Sequence, residues 1–284
     1  MMSKFLFDLK SEIKKCEANI YSIAEYKDGR VESLQLQEAN PCQDLYSVAK
    51  AFVVTAIGML CDRGLLRTDE IITDILGDEC PADCEKVWYR TTVDMLLLHK
   101  VALPGGFLDI DCIDANEFGE DYLAYIMTYK SGFEGDIPEP VYTDAAYYML
   151  SRIVEKRAGM GTDTFLWKNL FYPLGFREAA WSRCPMGHVM GATGLYLRAE
   201  DTVKLGAVYL GGGMWKDQRI LSEEWVNTVL EKGYELKRIG SKLIYGKGGM
   251  RGQMLMIMPE QNRAAAYTGC GGHSFVSFIA DYED

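Results

Sequence analysis

The 284-residue sequence predicts an α+β fold, an antiparallel sheet flanked by helices with a helical lobe inserted in the chain. Two observations predict it. Strand-like stretches lie at both ends, Ile20–Tyr26 and Arg30–Leu36 early and Gln253–Met258 and Arg263–Thr268 late. The middle third has irregular helical periodicity instead. The economical arrangement joins the two ends in one sheet, so that the whole chain forms one domain. Its α/β lobe would take about 1–65 and 190–284, and its helical lobe about 66–189. A cleft between lobes is a natural site.

The elements follow in order. Lys4 to Lys15 alternates charge and apolar residues as an amphipathic surface helix does. Lys27-Asp28-Gly29 between two β-rich stretches marks a hairpin turn. After Asn40-Pro41 an apolar run starts near Ser47 and should end as a helix near Gly64. Thr91-Thr92-Val93-Asp94 resembles a capping box before Met95–His99, and Pro104-Gly105-Gly106 breaks that segment. Asn116–Tyr129 is helical in period, 132–140 reads as loop, and Ala145–Arg157 and Thr162–Leu170 are further helices. Arg198–Leu210 and Ser222–Lys232 read as two amphipathic helices around Gly211-Gly212-Gly213. Pro259–Asn262 turns between the last two strands, and a short helix, Ser274–Tyr282, closes the chain.

The net charge of −11 and pI of about 4.9 argue against nucleic acid or an anionic membrane as a partner. Asp8, Lys10 and Glu12 interrupt any apolar core of a secretory leader, and Ala51–Cys61 is too short to span a bilayer. A cytoplasmic protein is therefore expected, its eight scattered cysteines reduced. Cys80 and Cys84 have the wrong spacing for a zinc knuckle, and the glycine stretches match neither a P-loop nor a dinucleotide fingerprint. Neither a metal nor an organic cofactor is expected. Oligomeric state leaves no mark in the sequence.

The chemistry centres on Ser47-Val48-Ala49-Lys50. On a helix, residues three apart share a face, so a hydroxyl would stand beside an amine. The spacing alone is weak, because Ser11-Glu12-Ile13-Lys14 also matches, on a charged solvated face. Ser47 differs because it heads a run that must be buried. A lysine one turn into a core helix is costly unless paired, and has reason to titrate low, as a general base must. The bland alternative makes Ser47 an N-cap and Lys50 a snorkelling surface residue. Tyr142-Thr143-Asp144 stands before a later helix, where a phenol could relay protons beside such a pair. There the bland alternative makes Asp144 the N-cap and Tyr142 a packing residue. The three histidines, His99, His188 and His273, are expected to be structural, and without a Gly-x-Ser-x-Gly elbow a Ser-His-Asp hydrolase is disfavoured.

Taken in order, these residues resemble the serine β-lactamase and penicillin-binding-protein superfamily, in its class C and esterase-like branch. Tyr46–Phe52 resembles its Ser-x-x-Lys motif, and Val141–Tyr148 its Tyr-x-Asn segment. Leu96–His99 is similar to its Leu-Leu-x-His segment, and Phe171–Gly175 to its Pro-Leu-Gly turn. Gly191–Asp201, Leu210–Gly213 and Ile220–Ser222 follow its later helices. Its Lys/His-Thr/Ser-Gly motif is best matched by Lys247-Gly248-Gly249, with Tyr267-Thr268-Gly269 as runner-up. The resemblance implies a β-lactamase/transpeptidase-like fold and a serine hydrolase that forms an acyl-enzyme on a small ester, amide or peptide. It makes Ser47 the nucleophile, Lys50 its base and Tyr142 the proton relay. Asp144 would hold Lys50, Lys247 would orient an anionic substrate or tune Tyr142, and the backbone amides of Ser47 and Met250, beside Gly249, would form the oxyanion hole. Departures weaken the case for penicillin-type substrates. Lys100-Val101-Ala102 follows His99, Asp144 replaces Asn, and Gly248 lacks a hydroxyl. The alternative is a catalytically silent relative binding a ligand or partner in the same cleft.

Overall fold

A computed structural model describes residues 2–136 and 138–283. The first and last parts of the chain share an antiparallel sheet. Its six strands run in the order Arg30–Gln35, Ile20–Lys27, Arg263–Gly269, Met254–Met258, Tyr245–Gly248 and Lys237–Arg238. The closing contact pairs Ala24 with Ala266, residues from opposite ends of the chain. The expected hairpin forms with Lys27 opposite Arg30. Asp28 and Gly29 both take positive φ, 49° and 81°, as a two-residue turn matching the strand twist requires.

Strand period dictates what each face buries. Met254, Met256 and Met258 join Ile23, Ala265 and Tyr267 on one face, covered by Phe5, Leu6 and Leu9 of the Lys4–Lys15 helix and by Ile279 of the short Val276–Ala280 helix. Leu255, Ile257, Ala264 and Ala266 point the other way, into the main core. Both faces are therefore covered, which is why Met254–Met258 is apolar throughout. The Ala199–Leu210 helix lies on the second face. Gly206 permits the approach, since a Cβ there would stand 2.9 Å from Ala264 Cβ and 3.0 Å from Leu255 Cδ1.

The Ala49–Asp62 helix runs through the core with every residue from Ala49 to Leu60 buried. It packs against the Asp144–Ala158 helix, whose end is set by Gly159 in the left-handed conformation at φ 64°. The middle of the chain adds short helices, Ile72–Leu76, Val93–Leu97, Tyr122–Met127 and Thr162–Leu166. Thr92 caps the second of these by accepting from Met95 N at 3.3 Å.

Some elements differ from expectation. Ser47 lies next to the helix N-terminus as expected, but a 3-10 turn, Tyr46–Val48, leads into the Ala49–Asp62 helix. The expected helix over Asn116–Tyr129 splits at Gly119, φ 69°, into a 3-10 turn and a helix. The expected helix from Thr162 ends as a π-type turn over Trp167–Phe171. Short strands at Gln43–Asp44, Ala180–Trp181 and Leu195–Leu197 form a small second sheet. Segments of two or three residues carry no alternation to read.

Candidate active site

The site forms where the Tyr46–Val48 turn, the start of the Asp144–Ala158 helix and the Tyr245–Gly248 strand meet. Asp44 shapes the turn by accepting from Tyr46 N at 2.8 Å, and Tyr46 sits at φ 47°, strained for a residue with a side chain. Ser47 follows, half-buried, and Lys50 lies one helical turn on. Lys50 Nζ donates to Ser47 Oγ at 3.1 Å and to the Ala192 carbonyl at 3.0 Å. Its third partner is Asp144 Oδ1 at 2.7 Å. These partners satisfy a side chain that is 0% exposed.

Asp144 is available because it is not the helix N-cap. Thr143 is, accepting from Ala145 N at 3.3 Å. That places Asp144 in the first helical turn, its carboxylate turned to Lys50. The consequence corrects the expectation that Lys50 titrates low. Burial alone would lower it, but Asp144, Tyr142 and Glu235 together push it above the ordinary lysine range. That direction favours the charged form of Lys50, and its side chain does not snorkel to the surface.

Tyr142 Oη donates to Ser47 Oγ at 2.7 Å. The phenol is 42% exposed and faces the open side of the site. Two ammonium groups stand over its ring, Lys50 Nζ 4.8 Å and Lys247 Nζ 4.7 Å from the centroid. Lys247 Nζ also donates to Tyr142 Oη at 3.2 Å. Lys247, Gly249 and Met250 thus come from the strand and turn beside Ser47, whereas Thr268 is buried on an inner strand between Ile20–Lys27 and Met254–Met258. Gly249 allows the close approach. A Cβ there would stand 2.6 Å from the Leu45 carbonyl and 2.7 Å from Gln253 Oε1. Met250 is exposed at the turn.

Two residues at the site were not assigned to it from sequence. Glu235, 1% exposed, pairs through Oε2 with Lys247 Nζ, an ion pair without ordinary hydrogen-bond alignment. Its Oε1 lies 2.6 Å from His99 Nε2. His99, expected to be structural, has its ring 4.7 Å from that of Tyr142. His99 Nδ1 accepts from Thr143 N at 3.4 Å, so the network places the proton on Nε2, donating to Glu235. Burial alone would raise the Glu235 carboxyl, but Lys247, His99 and Lys50 hold it well below the ordinary carboxylate range. His99 and Glu235 sit at φ 57° and 59°, so with Tyr46 three non-glycine residues of the site take a left-handed backbone. Glu235 lies between a glycine-ended helix and a two-residue strand, where no motif marks it.

Among the described residues, the carboxylates of Asp109, Asp111 and Asp144 have oxygens within 4.8 Å of one another, close enough to share a cation. Asp144 already faces the Lys50 ammonium, and Asp111 accepts from Thr193 Oγ1 at 2.6 Å. No described helix is long and apolar enough to cross a membrane.

The antiparallel sheet with its flanking helices, together with the family match, places the chain in the serine β-lactamase and penicillin-binding-protein-like superfamily. The chain belongs to the Beta-lactamase family, whose sequence profile matches residues 24–281. It is 33% identical over 136 residues to Penicillin-binding protein 4 of Amycolatopsis lactamdurans, a match covering 47% of this chain and 34% of that protein. The match thus spans about a third of the relative's length. The octameric penicillin-binding protein homologue of Pyrococcus abyssi superposes with a TM-score of 0.68 at 16% identity, covering 95% of this chain and 74% of that one. A class C β-lactamase of Rhodobacter sphaeroides superposes at 0.63 and 16% identity, covering 94% of each chain. At such identities these two structures establish the fold.

Proposed function

We propose that the protein is a serine hydrolase that forms an acyl-enzyme on Ser47 and acts on a small ester, amide or peptide. One observation carries this assignment. Ser47 Oγ lies within hydrogen-bond reach of both Lys50 Nζ, at 3.1 Å, and Tyr142 Oη, at 2.7 Å. Neither bland alternative for these residues accounts for all three meeting.

With Lys50 held as a cation, the proton of Ser47 goes to Tyr142. At rest Tyr142 Oη donates to Ser47 Oγ. On substrate binding its O–H turns to the leaving group and Ser47 donates to Oη instead. As Ser47 Oγ bonds to the carbonyl carbon, the serine proton moves to Oη while the phenolic proton passes to the leaving group, and Tyr142 stays neutral. The acyl–leaving-group bond breaks, leaving a neutral alcohol or amine and an ester on Ser47. Water then attacks that ester by the same relay in reverse. Lys247 Nζ on Tyr142 Oη and Lys50 Nζ near its ring favour release of the phenolic proton to the leaving group, which stabilises the transition state. Lys50 also orients Ser47, and Asp144 orients Lys50. Family likeness assigns the oxyanion hole to the backbone amides of Ser47 and Met250, and the turn held close by Gly249 supports that placement.

Hydrolysis of p-nitrophenyl esters of short acids tests the assignment. Turnover should be abolished in Ser47→Ala, and an acyl-enzyme burst should precede steady state. Equal turnover by wild type and Ser47→Ala would refute it.

A further inference from the structure

Lys247 would conventionally be the residue left open for a substrate's negative charge. In this chain the position is already occupied. The Glu235 carboxylate, 1% exposed, closes on Lys247 Nζ from within the protein, and the Lys247 side chain is only 12% exposed. The remaining reach of Nζ is directed at Tyr142 Oη, 3.2 Å away. Glu235 is not free to leave. Its second oxygen is held by His99 Nε2 at 2.6 Å, and His99 is in turn fixed by Thr143 N. The two lysines of the site, buried Lys50 and half-buried Lys247, are thus matched one to one by two protein carboxylates, Asp144 and Glu235. A substrate carboxylate arriving at Lys247 would add an uncompensated negative charge next to Glu235, where like charges repel strongly. Gly248, beside it, offers no hydroxyl to hold such a group.

We infer that Glu235 is a specificity-determining residue, an internal counter-ion that takes the place of a substrate carboxylate at Lys247, so that the cleft selects substrates uncharged at that position. The inference deepens the hydrolase assignment and rests on it for the word substrate, although the preference itself is one of binding. It sets this chain apart from enzymes that read a free carboxylate. The substrate class it names is neutral esters and amides, with the leaving group or flanking segment carrying no acid next to the scissile bond.

The test uses a matched pair, 3-acetoxybenzoate and its methyl ester, which present the same scissile ester with and without a charge. The readout is the ratio of the two kcat/KM values on one preparation of full-length protein. Loss of folded material in a variant cancels from that ratio. Wild type should favour the methyl ester by about tenfold or more, beyond the small difference in their chemical reactivity. Glu235→Gln keeps the shape and the acceptor for His99 while removing the charge. It should shift the ratio about tenfold toward the carboxylate, since Lys247 then has no other anion. A wild type that prefers the carboxylate, or a ratio unmoved by Glu235→Gln, would overturn the inference. The same two compounds are titrated by NMR against Ser47→Ala and Ser47→Ala/Glu235→Gln. If neither ester is turned over, the hydrolase assignment fails, and the binding ratio still decides the role of Glu235 by the same criterion.

Discussion

Lys50 Nζ lies 2.7 Å from Asp144 Oδ1 and 3.1 Å from Ser47 Oγ, in a position sealed from solvent. Ser47 is therefore addressed by a buried lysine side chain whose counter-charge is part of the protein. An amide at position 144 would hydrogen-bond Lys50 but leave its charge unmatched.

Asp144→Asn should destabilise the fold by on the order of 3 kcal/mol, the usual scale for breaking a buried pair by removing one partner. Asp144 raises the Lys50 titration in the folded state. Stability from that interaction is full below the unfolded lysine value, about 10.4, and is lost only as pH rises through the higher folded value. The deficit of the variant should thus stay level from about pH 7 to 9 and narrow only in stronger alkali. Urea unfolding across that range measures it. A deficit that vanishes between pH 7 and 9 would contradict the pairing.

Tyr142→Phe removes the hydroxyl that bridges Ser47 and Lys247. The ring is partly exposed and its packing is retained, so the melting temperature should change little. Acylation should slow about 10²- to 10⁴-fold, the range for loss of a positioned acid-base group. Pre-steady-state burst rates measure this directly. A burst rate within twofold of wild type would remove Tyr142 from the relay.

Gly249→Ala tests whether the site depends on close approach of the strand end to the Ser47 turn. The added methyl would meet the Leu45 carbonyl at 2.6 Å. The turn must move, and a displacement of that size at a reacting centre can cost about 10² in rate. The expected result is a fall of roughly that size in kcat/KM, with a modest loss of stability. Unchanged kinetics would show that the strand end is not fitted to the turn.

Asp44 offers a pH test. Burial, with Asp111 nearby, pushes its carboxyl up from 3.8 to about 6, against the pull of the Tyr46 N–H. A carboxyl raised in the folded state favours the protonated form, so its contribution is complete below the unfolded value and lost as pH rises through about 6. Asp44→Asn keeps an oxygen for Tyr46 N and carries no charge. It should match wild type near pH 4 and exceed it above pH 6 by about 1–2 kcal/mol, allowing for partial solvent screening. Thermal scans at the two pH values decide it. A variant less stable than wild type at pH 8 would contradict the raised carboxyl.

The legible parts of the molecule were those with long periodic patterns or paired motif residues. The hairpin at Asp28-Gly29, the buried Ala49–Asp62 helix and the late apolar strands could be read because each constrains several residues at once. The meeting of Ser47, Lys50 and Tyr142 was legible as a set, because Lys50 needed a partner once its helix was known to be buried. The charge state of Lys50 was not, since it depends on which residue caps the next helix. Thr143 rather than Asp144 takes that place. Glu235 could not be found in the chain order. It reaches the site through a left-handed backbone at φ 59°, and its partners Lys247 and His99 are brought to it only by the fold.

The most direct measurement is intact-mass and peptide-mapping spectrometry of the protein after brief exposure to a fluorophosphonate or a slowly deacylating activated ester. The expected result is a single stoichiometric adduct on the peptide carrying Ser47, absent from Ser47→Ala and formed far more slowly in Tyr142→Phe. An unmodified wild-type protein, or an adduct that persists in Ser47→Ala, would contradict an acyl-enzyme at this serine.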